Sequence, residues 1–279
     1  MKVILHLGFP KTGSSTLQYG LFKPLHEQGE LILRTWRQES EHEHHDRRPS
    51  SCLFRRQPIP DEYLCFSYSK LNILSDESFT APVKLRRNNY GDDIVDPSCF
   101  PELIRKQIVE KYGDSVDIEV FITIRRQDEQ IYSQYVEEYN LKRYKNVDLV
   151  FREDGEVDVS GFDIYKYDSY IDILEHVYSP EKVHVTLFED WKVSSSNFSS
   201  ELSKIFDIPK PYIEQQLNNN HVNKKVKNSE GYYTKDGQIF IPKFSVDQMK
   251  SIREYFREDN IRLKNRLGHK HDLSKLGYL

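Results

Sequence analysis

"HLGFPKTGSST", residues 6–16, has the outline of a phosphate-binding loop with its lysine out of place. A Walker A loop reads G-x-x-x-x-G-K-[ST]. Gly8 and Gly13 stand at that spacing and Ser15 fills the Ser/Thr position, but Ser14 occupies the lysine position and the nearest lysine is Lys11. The loop follows "KVILHLG", a short apolar run suited to a buried strand, and precedes "STLQYGLFKPLHEQG", with Leu17, Leu21 and Leu25 at helical spacing and Gly29 as a stop. A strand, a glycine-bearing loop and a helix start together form an anion site, because loop and first-turn N–H groups converge and the helix dipole adds positive potential. Gly13 permits close approach of the backbone to the anion, and Ser14, Ser15 and Thr16 add hydroxyl donors.

The remainder of the chain alternates strand-like and helix-like segments. "ELILRT" and "LNILSDE" read as the second and third strands, and "PELIRKQIVEKYG" as a helix with proline in its first turn and glycine at its end. "DIEVFITIRR" is the clearest strand. A helix follows in "DEQIYSQYVEEYNLKRY", with Ile131, Tyr135 and Tyr139 on one stripe. "KVHVTLFED" reads as another strand and "NFSSELSKIF" as another helix. Ser245 and Gln248 suit a capping box for a last helix over about 246–266, closed by Gly268. Residues 37–62 are charged, histidine-rich and proline-bearing, and are expected to form a long polar loop. The alternation predicts an α/β fold: a three-layer parallel sheet of about five strands with helices on both faces, in one domain over 1–279.

Composition sets limits. The 279 residues are 37% hydrophobic and 30% charged, with formal net charge −4, so there is no global electrostatic case for nucleic-acid binding. Cys52, Cys65 and Cys99 are widely spaced and odd in number, with no C-x-x-C pair, which suits a reducing compartment. No apolar run approaches a membrane span, and "MKVILHLGF" is too short for a signal-peptide core, so a soluble, cytoplasmic protein is expected.

"PKTGSSTLQ" after a first strand resembles the 5′-phosphosulfate loop of sulfotransferases, which use 3′-phosphoadenosine 5′-phosphosulfate (PAPS) and share the core of P-loop kinases. The resemblance implies that Lys11, Thr12, Gly13, Ser14, Ser15 and Thr16 bind the donor, and that the Lys11 ammonium stabilises the leaving phosphate at its bridging oxygen. The family's second motif is an arginine at a strand end with a serine eight residues later, which bind the 3′-phosphate. Arg125 and Ser133 have that spacing. Arginine offers a permanently charged fork to a phosphate dianion, and serine adds a neutral donor. Two departures stand out: Gln127 occupies a position where the family often has proline, and Arg126 adjoins Arg125.

"VHVTLFEDW" followed by "LSKIFDIP" resembles the family's late strand, ending in a glutamate (here Glu189), and the helix after it. The segment around Lys224, Lys225 and Lys227 resembles the basic loop that closes over the nucleotide in carbohydrate sulfotransferases, and reads equally as a solvated basic loop.

A catalytic base is sought at strand ends. In "NILSDESF", Glu77 is favoured and Asp76 is second; a carboxylate there also suits a helix cap, and Asp76 also reads as a magnesium ligand of a kinase. "ESEHEHHDRRPSS" lacks metalloprotease spacing, so His42, His44 and His45 are read as loop residues, with Arg47, Arg48, Arg55 and Arg56 available to an acidic polymer.

The expectation is a PAPS-dependent sulfotransferase that requires no metal, acts by in-line displacement on a hydroxyl or amine of a carbohydrate acceptor, and releases adenosine 3′,5′-bisphosphate. The alternatives are a P-loop small-molecule kinase using ATP and magnesium, and a non-catalytic nucleotide-binding protein.

Overall fold

The computed structural model describes residues 1–35, 48–91, 93–140, 150, 152, 154–219, 230–233 and 239–279. The chain divides into two compact units, Met1–Ile124 with Tyr170–Val222, and Arg125–Ser169 with Asn223–Leu279.

The first unit is built on β1 (Lys2–His6). A helical run follows in three parts: α1 (Ser14–Thr16), a π-helical stretch (Leu17–Phe22) and α2 (Lys23–Glu27). Next come β2 (Leu31–Arg34), α3 (Pro49–Phe54), β3 (Leu71–Ser75), α4 (Val83–Tyr90), α5 (Phe100–Tyr112) and β4 (Asp117–Ile124). The five strands, closed by β5 (Val183–Leu187), are all parallel and lie in the order β2-β3-β1-β4-β5. In β1, Val3, Ile4 and Leu5 are all fully buried, as a strand covered on both faces requires.

Successive side chains of a strand point to opposite faces. Ile4 and Phe121 face the helical run, where Leu17, Leu21, Phe22 and Leu25 meet Phe198, Leu202 and Phe206 of α9 (Ser195–Phe206) and Ile213 and Leu217 of α10 (Lys210–Asn219). Val3, Leu5, Val120 and Ile122 are fully buried toward the opposite face, which requires a second layer. That layer draws on α5, where Phe100 meets Phe54 at 4.8 Å, and on α7 (Tyr167–Tyr178), where the Tyr178 hydroxyl donates to the Pro101 carbonyl at 2.6 Å.

The second unit contains α6 (Gln127–Asn140), the antiparallel hairpin β6 (Gly231–Tyr233) with β7 (Phe240–Pro242), and α11 (Val246–Leu267). Ser245 and Gln248 form the expected capping box of α11. Gln127 joins α6 to α11: its amide donates to Asn260 Oδ1 at 2.8 Å and to the Tyr165 carbonyl at 3.2 Å. A proline at 127 would lack such a side chain. Asp259 accepts the backbone N–H groups of Asp168 at 2.9 Å and Ser169 at 3.2 Å, capping the start of α7.

Two expectations are corrected. Within 37–62, Pro49–Phe54 is a helix whose six residues are all buried, and Asp61–Leu64 is a 3-10 turn. Proline opens that helix, and tertiary burial stabilises a segment too short to show helical periodicity. The strand in "KVHVTLFED" stops at Leu187, so Glu189 lies in the first turn of α8 (Phe188–Val193) instead of at a strand end.

Phe22 packs against Phe206 with ring centroids 5.0 Å apart. Phe22→Ala is expected to destabilise the first unit by about 3–5 kcal/mol, read from the denaturant midpoint.

Candidate active site

The loop after β1 turns back sharply over the end of the strand. Lys11 holds φ 69° and Gly13 holds φ 93°, both left-handed. For lysine that conformation is uncommon, and it departs from the extended path of the preceding strand. The Thr12 hydroxyl donates to the Phe9 carbonyl at 2.7 Å and the Ser14 hydroxyl to the same carbonyl at 3.3 Å. These two hydroxyls hold the shape of the loop, while Lys11 and Ser15 are half-buried.

Close packing requires both glycines, and at Gly13 the left-handed backbone requires one as well. A Cβ at Gly8 would lie 2.6 Å from Ser14 Oγ and 2.7 Å from His6 Nε2. One at Gly13 would lie 2.7 Å from Trp191 Cζ3 of α8. Trp191 stacks in parallel on Phe198, so it cannot easily retreat. The spacing of Gly8 and Gly13 marks the loop in the sequence, whereas nothing near Trp191 in the sequence signals that it packs there.

β3 lies beside β1, and its end brings Ser75, Asp76 and Glu77 to the same edge of the sheet as the loop. Asp76 is fully buried and both of its oxygens are engaged by backbone: Oδ1 accepts from Ser78 N at 2.9 Å and Oδ2 from Ser50 N at 3.1 Å. Asp76 thus caps the 3-10 turn Glu77–Thr80 and binds the first turn of α3. Burial raises its pKa, and Glu77 pushes the same way. Arg48 and the bonds from Ser50 and Ser78 oppose the rise. Arg86 Nη2 donates to Ser78 Oγ at 2.9 Å.

Glu77 is half-buried and accepts from Gln18 Nε2 at 3.2 Å. Gln18 Nε2 also donates to Ser75 Oγ at 2.8 Å, and Ser75 Oγ meets His6 Nδ1 at 2.7 Å. His6 stacks on Phe121 at 5.3 Å and meets Phe22 edge-on at 5.6 Å. Burial pushes its pKa down to about 4 against a smaller upward pull from Glu77. His6, Ser75 and Gln18 are site residues that motif reading misses, because no spacing rule links positions on β1, β3 and the π-helical stretch.

Arg125 and Ser133 belong to the second unit and are both buried, at 6% and 8% exposure. Arg125 follows the last residue of β4, and its Nη2 pairs with Glu129 Oε2 at 3.3 Å. Its carbonyl accepts the Tyr167 hydroxyl at 2.7 Å. Arg126 is more exposed and is held by Asp128 at 2.7 Å and Glu129 at 3.4 Å. Lys224, Lys225 and Lys227 lie outside the described residues, as do His42, His44, His45 and Arg47. Among the described residues no three His, Cys, Asp or Glu side chains are placed to hold a metal ion, and no helix is long and apolar enough to cross a membrane.

No family model matches the chain and no curated protein matches it. Among solved structures, a sulfotransferase from Alicyclobacillus acidocaldarius is similar. Its TM-score is 0.54 at 13% identity, over 98% of this chain and 97% of that chain. The likeness shows a shared fold, a five-stranded parallel sheet with helices around it.

The buried His6 predicts a pH dependence of stability. Its folded pKa lies below the unfolded value near 6.5, so the unfolded chain binds the extra proton first as pH falls. His6 therefore contributes a loss of stability from about pH 6.5 down to about 4, at most about 3 kcal/mol. The difference between wild type and His6→Gln in denaturant midpoints across that window is expected to show this slope, and parallel curves would refute it.

Proposed function

We propose that the protein is a sulfotransferase that takes a sulfuryl group from PAPS and passes it to a carbohydrate hydroxyl or amine. The observation that carries this reading is the end of the β1–β3 pair. A glycine-shaped anion loop with its lysine at 11 instead of 14 stands at the same sheet edge as the Glu77 carboxylate. Ligand sites in open parallel sheets gather at that edge. The shared fold with the bacterial sulfotransferase supports the same reading.

In this reading PAPS supplies an activated sulfuryl group and leaves as adenosine 3′,5′-bisphosphate. Residues 11–16 bind the 5′ end of the donor, with N–H groups, hydroxyls and the Lys11 ammonium directed at the departing phosphate oxygen. Arg125 and Ser133 bind the 3′-phosphate, the group absent from ATP. Lys224 and Lys225 are proposed as further donor contacts. Glu77 takes the proton of the acceptor hydroxyl or amine as the bond from sulfur to the acceptor forms and the bond to the phosphate oxygen breaks. Asp76 ranks behind Glu77 because its two oxygens already accept backbone N–H groups. The same engagement weighs against its use as a magnesium ligand in a kinase. The glycan acceptor rests on the resemblance of the tail from Asn223 onward, and a cytoplasmic location on Cys52, Cys65 and Cys99, which form no disulfide.

Calorimetry tests the assignment. Adenosine 3′,5′-bisphosphate is expected to bind and ATP with magnesium is not. Tight ATP binding without bisphosphate binding would overturn the reading in favour of a kinase. Bisphosphate binding without sulfate transfer to any glycan would indicate a non-catalytic nucleotide-binding protein.

Arg125→Ala is expected to weaken bisphosphate binding by about 10-fold or more, since a hydrogen-bonded charge pair is lost. Lys11→Ala is expected to lower turnover by about 100-fold or more while leaving part of the nucleotide affinity. Unchanged constants in either variant would remove that residue from its role.

A further inference from the structure

Gln18 is 1% exposed and lies on the π-helical stretch directly after the loop. Single π turns inside helices recur at functional sites, where they reorient a side chain. The Gln18 amide nitrogen carries two hydrogens, and both have partners: Ser75 Oγ at 2.8 Å and Glu77 Oε2 at 3.2 Å. The carboxylate fixes the orientation of the amide, because an ionised carboxylate only accepts and a flipped amide would turn its oxygen toward it. Ser75 Oγ accepts from Gln18 Nε2 and meets His6 Nδ1 at 2.7 Å, where the tautomer of His6 decides which atom donates. The other ring nitrogen, His6 Nε2, lies beside Gly8 of the loop. Gln18 is the donor in both of its bonds, and the contacts His6–Ser75–Gln18–Glu77 join the end of β1 to Glu77.

We propose that Gln18 is a positioning residue for the base: its carboxamide orients Glu77 and favours the ionised carboxylate, and Ser75 and His6 hold it in place. The proposal rests on the reading of Glu77 as the base. Titratable groups that act on Glu77 include His6 from β1, Asp76 beside it in the chain, and Arg48 at the start of α3. Arg86 of α4 adds a cation bonded to the neighbouring Ser78. Asp76 disfavours a charged Glu77 and Arg48 favours it, and Gln18 adds a neutral N–H donor that bonds the charged form more strongly than the neutral one. Removing that donor raises the pH at which Glu77 loses its proton.

The experiment is a carboxyl carbon-13 NMR titration of the full chain, with the Glu77 signal assigned from Glu77→Gln, run beside pH–rate profiles. In Gln18→Met, close in volume and without an N–H donor, the Glu77 midpoint is expected to rise by about one pH unit. The acid limb of the kcat profile is expected to rise with it, while KM for the sulfuryl donor changes less than about 2-fold. Ser75→Ala, which leaves the Gln18–Glu77 bond in place but loosens the amide, is expected to give a smaller shift in the same direction and serves if Gln18→Met does not fold. An unmoved Glu77 midpoint in the folded variants would overturn the proposal even if Glu77→Gln is inactive. Full turnover by Glu77→Gln would instead overturn the reading of Glu77 as the base, and with it the positioning role.

Discussion

A side chain at Gly8 would collide with both Ser14 Oγ and His6 Nε2, and much of the site depends on that close approach. The loop turns back over the end of β1 tightly enough that the first helical turn and the strand's last residue flank one α-carbon. The Phe9 carbonyl, two hydroxyls that donate to it, and left-handed backbone at Lys11 and Gly13 close the turn. A loop so over-determined has little conformational entropy left to lose on binding an anion, which is the physical value of building it from glycine and short hydroxyl side chains.

At the end of β3 two adjacent carboxylates differ in their bonding. Asp76 has both oxygens bonded to backbone and ties the 3-10 turn after β3 to the start of α3. Glu77, half-buried, is bonded through a glutamine to the strand and helix that flank the loop. Neighbouring carboxylates thus stand in unlike surroundings: Asp76 accepts backbone N–H groups with both oxygens, and Glu77 accepts a side-chain donor. His6 stays neutral under these conditions because its ring is enclosed by Phe22 and Phe121, where a charged imidazole would be poorly solvated.

In the second unit, Gln127 is a packing residue. Its amide links Asn260 of α11 and the Tyr165 carbonyl, and Asn260 also bonds the Tyr278 carbonyl near the chain's C-terminus at 2.8 Å. Arg126, beside Arg125, is held by Asp128 and Glu129 and lies against Gly277. The two arginines thus differ in surroundings: Arg125 is the more buried, with its carbonyl bound by Tyr167.

Local and periodic signals made the main architecture legible in the sequence. The alternation of apolar strands with helices announced the parallel sheet, the Ser245–Gln248 pair marked the start of α11, and the spacing of Gly8 and Gly13 marked the loop. Each depends on neighbours within about a turn or a strand, so residue order alone suffices. Short or composite features were not legible. α3 is six residues long and is stabilised by burial and by Asp76 from another segment, and α8 replaces the end of an expected strand. The His6–Ser75–Gln18–Glu77 chain draws on β1, the helical run and β3, and exists only because the sheet places β3 beside β1 in one register. Sequence by itself determined which segments fold and where an anion loop stands. Tertiary structure decided which carboxylate caps backbone and which accepts a side-chain donor, because burial and hydrogen-bond partners come from residues distant in the chain.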